Sequence, residues 1–234
     1  VVHLAAISFA AHSDLEAIYQ INLLGTLHLL EALRSSDAPI ERILLASSAN
    51  VYGNARVSPV AELCCPAPVN HYATSKLAME FMAKTYLGQL PIFLTRPFNY
   101  TGPGQSAAFL IPKLIYHFAS KAPVIELGNL DVQREFNDVR MVCASYLRLL
   151  ACAEIGETYN ICTGDGYSLR TILDVLESLT GHGISVQVNP NFVRANEIHR
   201  LVGDPTKLHA VLGPLPVYSL EGTLSLMLKA KNCA

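Results

Sequence analysis

The chain has 234 residues, 51% of them apolar and 15% charged, with a formal net charge of −2. That is enough for a sizeable core in one or two soluble globular domains; no basic stripe suggests nucleic-acid binding, and no uninterrupted apolar run reaches the ~18 residues of a membrane span. Six cysteines are scattered without a Cys-x-x-Cys pair or a Cys/His metal spacing, so they read as thiols of a reducing cytoplasm rather than a disulfide framework, and no metal site is expected.

The first residues, "VVHLAA", form an apolar strand with no starting Met and no turn before it. This reads as a chain entered inside a strand. A helix over 14–34 follows, with Ser13 or Asp14 as its cap. Leu15, Ile18, Ile21, Leu24, Leu27, Leu30 and Leu33 give it one apolar face. "RILLASSANVYG" is a second strand that ends in small polar residues, and "SPVAELCCPAPVN" is a proline-rich loop. "HYATSKLAMEFMAKTYLG" is a helix closed by Gly88. "PIFLTRPFN" is a third strand, and "YTGPGQ" a turn.

Strands this apolar, alternating with helices, imply a parallel sheet covered on both faces. Ligands of such sheets bind at the carboxyl ends of the strands. His3–Ser8, Ser47–Tyr52 and Arg96–Asn99 fall at those ends. Beyond residue 105 the pattern loosens into a helix, a short strand with a turn, a helix, a strand at "GETYNICTG", a helix from Ser168 to Gly181, a strand at "ISVQVN" and two last helices. The fold class is α/β, a doubly wound parallel sheet of Rossmann type without its N-terminal part, carrying a smaller C-terminal substrate-binding lobe. Residues 1–104 and parts of 130–165 belong to the sheet domain; about 105–130 and 166–234 form the lobe.

Tyr72 and Lys76 sit four apart in the helical stretch, which puts both on one face. An ammonium beside a phenol favours the phenolate and lowers its pKa, so Tyr72 can exchange a proton near neutral pH. Ser48, at the end of the second strand, can donate to the same substrate oxygen. Lys76 can also hold a cofactor ribose. The set suits hydride transfer at a secondary alcohol or ketone.

"HLAA", "INLLGTLHLLEAL", "SSANVYG", "YATSK" and "RPFNYTGPGQ", in this order, resemble the extended short-chain dehydrogenase/reductase family, which acts on nucleotide-activated sugars. The resemblance makes Ser48, Tyr72 and Lys76 catalytic. It places Leu4, Ala5, Ala6, Asn22, Ser47, Tyr72, Lys76, Pro97 and Phe98 against NAD or NADP. The choice between these cofactors would be read upstream of Val1, where the family's glycine-rich loop is also expected. "GNLDVQREFNDV" and "VRANEIHRLVGDPTKLHAVLG" are similar to the branch of GDP-mannose 4,6-dehydratases and GDP-6-deoxy-4-keto-hexose reductases. That likeness implies a GDP-sugar held by Asn99, Leu110, Lys113, Arg134, Arg194 and Glu197. Two departures are His71, where most relatives have Pro, and "GPLPV", where relatives usually have "GWKP".

The dehydratases carry an acid, usually Glu, two positions after the catalytic hydroxyl; here that position is Asn50. An amide cannot act as the general acid/base for removing water from the sugar. Reduction of a 4-keto sugar is therefore favoured over 4,6-dehydration, with 4-epimerisation open and a regulatory nucleotide-binding protein as the reading of another class. Plainer roles stand beside several of these. Ser48 can be a simple cap, Asn22 a solvated helix position, His3 a core histidine, Arg134 a partner of Glu135 or Asp138, and Lys113 a solvated lysine; Cys64 and Cys65 are incidental. The helices over 14–34 and 72–87 have more apolar positions than one buried stripe needs, which predicts a homodimer through these helices.

Overall fold

The computed structural model describes residues 1–9, 12–192 and 198–232. In chain order the elements are β1 (Val2–His3), α1 (Leu15–Tyr19), α2 (Gly25–Arg34), β2 (Ile43–Ala46), α3 (His71–Lys84), β3 (Ile92–Pro97), β4 (Tyr100–Thr101) and α4 (Leu110–Ala119). Then come β5 (Val124–Leu127), β6 (Gln133–Arg134), β7 (Asn137–Asp138), α5 (Val139–Cys152), β8 (Thr158–Ile161), β9 (Tyr167–Ser168), α6 (Leu169–Thr180), β10 (Ser185–Val188), β11 (Arg200–Leu201), α7 (Thr206–Leu212) and α8 (Leu220–Asn232).

The central sheet has the order β1-β2-β3-β8, every pair parallel. Strand alternation assigns its two faces. Ile43, Leu45, Ile92 and Leu94 pack with Leu30 of α2 and Met79 and Ala83 of α3. Leu44, Phe93, Tyr159 and Ile161 pack with Met141, Val142 and Leu149 of α5 and Leu208 and Leu212 of α7. Helices on both faces explain why the strands read as continuous apolar runs.

The lobe has its own core. Ile111, Leu114 and Phe118 of α4, Ile172 and Leu176 of α6, and Leu224 of α8 close around Ile125 and Leu127 of β5. β5 pairs in parallel with β10. A small sheet of order β11-β6-β9 and the pair β4-β7 lie beside it in sequence. Although α7 lies in the C-terminal stretch, it packs against α5 on the sheet side, so the division between sheet and lobe crosses the chain more than once.

Local signals explain most element ends. The Asp14 side chain accepts from Ala17 N at 2.9 Å and caps α1. Ser168 accepts from Thr171 N and opens α6, and Gly181, with φ of 62°, closes it in the left-handed region. Two expectations are corrected. The helix over 14–34 is broken by a π-helical turn at Gln20–Leu24. Its extra residue rotates the apolar face, so Ile21 is exposed while Asn22 and Thr26 are buried; Leu15, ahead of the turn, is exposed as well. α3 ends at Lys84 with Thr85 as its cap, before Gly88. No helix among the described residues is long and apolar enough to cross a membrane.

Candidate active site

The carboxyl ends of β1, β2 and β3 and the first turn of α3 meet at one edge of the sheet. β2 runs directly into Ser47 and Ser48, and Ser48 caps a short 3-10 helix over Ala49–Tyr52. The extended Ser48 backbone ends the strand, and its Oγ accepts from the Asn50 backbone N–H and from Asn50 Nδ2, each at 3.2 Å. Asn70 caps α3 by accepting from Ala73 N at 2.9 Å. This cap fixes where the first turn begins and sets Tyr72 inside it.

Tyr72 is buried. Burial pushes its pKa up to about 12, and the nearby Ser48 hydroxyl acts in the opposite direction. Lys76, one turn later, is also buried, and its Nζ donates to the Ala46 carbonyl at 2.8 Å. Burial holds its pKa down to about 8, opposed by Glu80 a further turn along. Burial leads the shift at Tyr72, so the phenol carries its proton at neutral pH.

Asn22 is fully buried. Its Oδ1 accepts from Ile7 N at 2.8 Å, and its Nδ2 donates to Ile7 O at 3.1 Å and to Ser75 Oγ at 3.0 Å. Ser75 Oγ donates on to the Tyr72 carbonyl at 2.8 Å. Asn22 thus ties the loop bearing Leu4, Ala5 and Ala6 to the helix bearing Tyr72, and a solvated role is ruled out. Leu4 and Ala5 are exposed and Ala6 half-buried at the strand end. Ser47 is buried, and its hydroxyl has no hydrogen-bond partner among the described residues. Pro97 is half-buried at the end of β3, and Phe98 is buried against Tyr52.

His3 and Arg96 turn away from this chemistry. His3 Nε2 lies 2.9 Å from Thr26 Oγ1, and its pKa is lowered chiefly by burial. Arg96 is buried in an ion pair with Glu80, at 2.9 Å and 2.6 Å through two separate nitrogens, and also donates to Tyr52 Oη at 3.0 Å. Tyr52 in turn donates to Asn160 Oδ1 at 2.8 Å. Arg96 and Tyr52 therefore belong to an interior network, although both lie in stretches expected to face ligand.

The residues expected at the sugar nucleotide are spread from the end of β3 into the lobe. Asn99 is half-buried, and its carbonyl accepts from Asn137 N at 2.9 Å. Leu110 begins α4. Lys113 Nζ donates to Glu126 O at 2.8 Å and lies 4.8 Å from the Phe192 ring centroid. Arg134, in β6, donates to Gln133 O at 2.9 Å and to Ile198 O. Arg194 and Glu197 lie outside the described residues.

Sequence reasoning missed the anchors. Buried Glu135 accepts from Gly203 N at 2.6 Å, Thr163 N at 2.9 Å and Asn137 Nδ2 at 3.0 Å; burial raises its pKa and these bonds oppose the rise. Asp138 pairs with Arg140 at 2.7 Å. His71, which replaces the usual proline, meets Tyr19 Oη through Nδ1 at 3.0 Å and so pins the start of α3 to α1.

Residues 1–227 match the family described as GDP-mannose 4,6 dehydratase. The chain is 38% identical over 213 residues to GDP-6-deoxy-D-talose 4-dehydrogenase of Aggregatibacter actinomycetemcomitans, covering 91% of this chain and 72% of that protein. It is 34% identical over 239 residues to GDP-6-deoxy-D-mannose reductase of Pseudomonas aeruginosa, covering 97% and 78%. The fold superimposes on the NADPH complex of RMD from Pseudomonas aeruginosa with a TM-score of 0.91 at 34% identity, covering 98% of this chain and 80% of that one. It also superimposes, with a TM-score of 0.93 at 48% identity, on a Burkholderia cenocepacia J2315 protein named as an epimerase, covering 100% and 76%. The buried Ser48, Tyr72 and Lys76 at the end of a parallel sheet, together with these likenesses, place the chain in the GDP-mannose 4,6-dehydratase family of extended short-chain dehydrogenases/reductases.

Proposed function

We propose that this enzyme reduces the 4-keto group of a GDP-4-keto-6-deoxyhexose, using NADPH or NADH. The observation that carries this reading is the buried Ser48/Tyr72/Lys76 set with an amide, Asn50, in place of a further acid. The relatives named as a GDP-6-deoxy-D-talose 4-dehydrogenase and a GDP-6-deoxy-D-mannose reductase support the substrate class.

The residues at the sheet edge fit a nicotinamide dinucleotide. The unpartnered Ser47 hydroxyl is a buried polar atom that needs a partner, and Lys76 uses Ala46 O as one acceptor with further N–H donors to offer. The exposed Leu4–Ala6 loop, with Pro97 and Phe98, would line the ring. When bound, the reduced nicotinamide supplies the hydride for the sugar C4. Tyr72 gives its proton to the ketone oxygen as the C4–O bond becomes an alcohol. A pKa of about 12 keeps that proton in place until it is needed. Ser48 donates to the same oxygen and stabilises developing negative charge. Lys76 holds the ribose and faces the phenolate left behind. In the lobe, Arg134 would take the diphosphate with its fork-shaped guanidinium. Asn99, Leu110 and Lys113, with Arg194 and Glu197, complete the sugar-nucleotide site.

The 48% identity to a protein named as an epimerase supports a second reading, 4-epimerisation with the same Ser48, Tyr72 and Lys76. One assay separates the two. Protein is incubated with GDP-4-keto-6-deoxymannose and NADPH or NADH, following nicotinamide absorbance and identifying the sugar by NMR. Stoichiometric cofactor oxidation with a 6-deoxy-hexose product supports reduction. Interconversion of GDP-hexoses without net cofactor oxidation would establish the epimerase instead. We further propose a cytoplasmic homodimer in which the exposed apolar residues Leu15, Ile21 and Phe81 of the α1–α3 face are covered by a second copy.

A further inference from the structure

A hydroxyl has one proton to give and two lone pairs with which to accept. At Ser48 the structure fills both lone pairs. The Asn50 backbone N–H, the cap of the 3-10 helix, takes one; Asn50 Nδ2 takes the other; each lies at 3.2 Å. Among the described residues, that leaves Ser48 Oγ its own proton to donate. The nearby group is the buried Tyr72 phenol.

We propose that Asn50 is a positioning residue that makes Ser48 a one-way hydrogen-bond donor, so that the Tyr72 proton stays aimed at the substrate oxygen. This rests on the reductase reading above and adds a role for the side chain at position 50. The alternative arrangement shows what Asn50 prevents. A serine with a free lone pair can accept from the Tyr72 O–H. The acid's proton would then be held by Ser48, and breaking that bond would become part of every turnover. With both lone pairs engaged, Ser48 gives its proton to the Tyr72 oxygen or to the ketone oxygen. Either bond stabilises negative charge there, on the phenolate after transfer or on the oxygen during it.

The chemistry at position 50 therefore sets the polarity of the relay. A carboxylate has no N–H to give. It would draw the Ser48 proton toward itself and leave Ser48 accepting from Tyr72. The substitution Asn50→Asp nearly preserves shape and reverses the direction of the bond but also adds a charge, so the neutral Asn50→Ala is the decisive variant.

Three proteins are compared with wild type in the ketone-reduction assay: Asn50→Asp, Asn50→Ala and Ser48→Ala. Asn50→Asp is expected to lower kcat by about 10²-fold, the loss seen when one oxyanion donor is removed, with KM for the sugar nearly unchanged. Asn50→Ala frees one lone pair only, and should lose about tenfold, the scale of one hydrogen bond. The double variant Ser48→Ala/Asn50→Ala should be no slower than Ser48→Ala alone, because Asn50 acts through Ser48. A purely structural Asn50 would instead multiply the two losses, and that result overturns the proposal. An Asn50→Asp enzyme with wild-type kcat also overturns it. If Asn50→Asp loses its cooperative melt, the alanine cycle decides alone.

A second readout is independent of turnover. Ultraviolet difference titration, with Tyr72→Phe as the blank, reports the Tyr72 phenol directly. Asn50→Ala, which frees a Ser48 lone pair without adding a charge, should move that titration to higher pH than in wild type; an unmoved titration contradicts the proposal. Should wild type fail to reduce the keto sugar, the reductase reading falls, and this titration still decides the role of Asn50.

Discussion

Lys76 is held at a cost to stability, and replacing it with methionine measures that cost. Its pKa falls from 10.5 to about 8, mainly because burial penalises the ammonium. At 1.36 kcal/mol per pKa unit, keeping it charged at pH 7 costs about 3 kcal/mol relative to the unfolded chain. Lys76→Met removes the charge and keeps an unbranched side chain in the same space. It also removes the donor to the Ala46 carbonyl, which costs about 1–2 kcal/mol. The net expectation is a stabilisation of about 1–2 kcal/mol at neutral pH, a rise in Tm of about 2–8 °C for a chain of this size.

The pH dependence gives the sharper test. The folded pKa of Lys76 lies below the unfolded one, so between about 8 and 10.5 the unfolded chain binds more protons. Wild-type stability contributed by this group therefore rises with pH across that window. The advantage of Lys76→Met should be full below pH 8 and turn into a disadvantage of about 1–2 kcal/mol toward pH 10.5, where only the lost bond to Ala46 remains. Circular-dichroism melts of both proteins across that range check it. A variant that melts lower than wild type at neutral pH, or with a gap that does not change with pH, would refute the reasoning. The same variant should lose turnover, because a destabilised cation at the site is retained for function.

Tyr72→Phe should lower kcat by about 10²–10⁴-fold with the melt unchanged, as for loss of a general acid; near wild-type turnover would remove Tyr72 from the chemistry. Arg134→Ala should weaken binding of the GDP-sugar more than that of the nicotinamide cofactor, measured by calorimetry with each ligand in turn. Equal weakening of both ligands rejects the diphosphate role. Phe81→Glu places a charge on an exposed apolar position, 61% accessible in one copy, and should shift the protein from dimer toward monomer in light scattering. A wild type that already runs as a monomer at micromolar concentration defeats the dimer.

The proposed catalytic set was legible because its spacing is local. Tyr72 and Lys76 share a helix face by sequence separation alone, and Ser48 follows an unmistakable buried strand. What the sequence could not reveal is the burial of Tyr72, which raises its pKa. A lysine four residues away is visible in the letters; the packing that strips water from the phenol is not. Asn22 was harder still. A regular helix makes it a gap in an apolar face, whereas the π-turn at Gln20–Leu24 turns it inward to bond Ile7 and Ser75. Arg96 did leave a signal. In β3 it shares the face of Leu94, the side covered by α3, and Glu80 sits on α3 four residues after Lys76. Strand alternation would have sent Arg96 inward, away from the ligand edge.

Those anchors explain why the site's geometry is fixed. Tyr72, Lys76 and Glu80 recur every fourth residue along one face of α3. The first is an acid at the ligand edge, the second a cation over the end of β2, and the third an anion bonded twice to Arg96 of β3. A helix packed only by aliphatic contacts can rotate by a few degrees at little cost, because dispersion is not directional. Two charged hydrogen bonds to one guanidinium cannot follow such a rotation, and breaking a buried pair costs about 3–5 kcal/mol. At the other end, Asn70 caps the helix and the Asn22–Ser75 bridge reaches the Tyr72 carbonyl. The face that carries Tyr72 and Lys76 is therefore held at both ends by polar groups, and the tyrosine's position is a property of the packed helix before any substrate arrives.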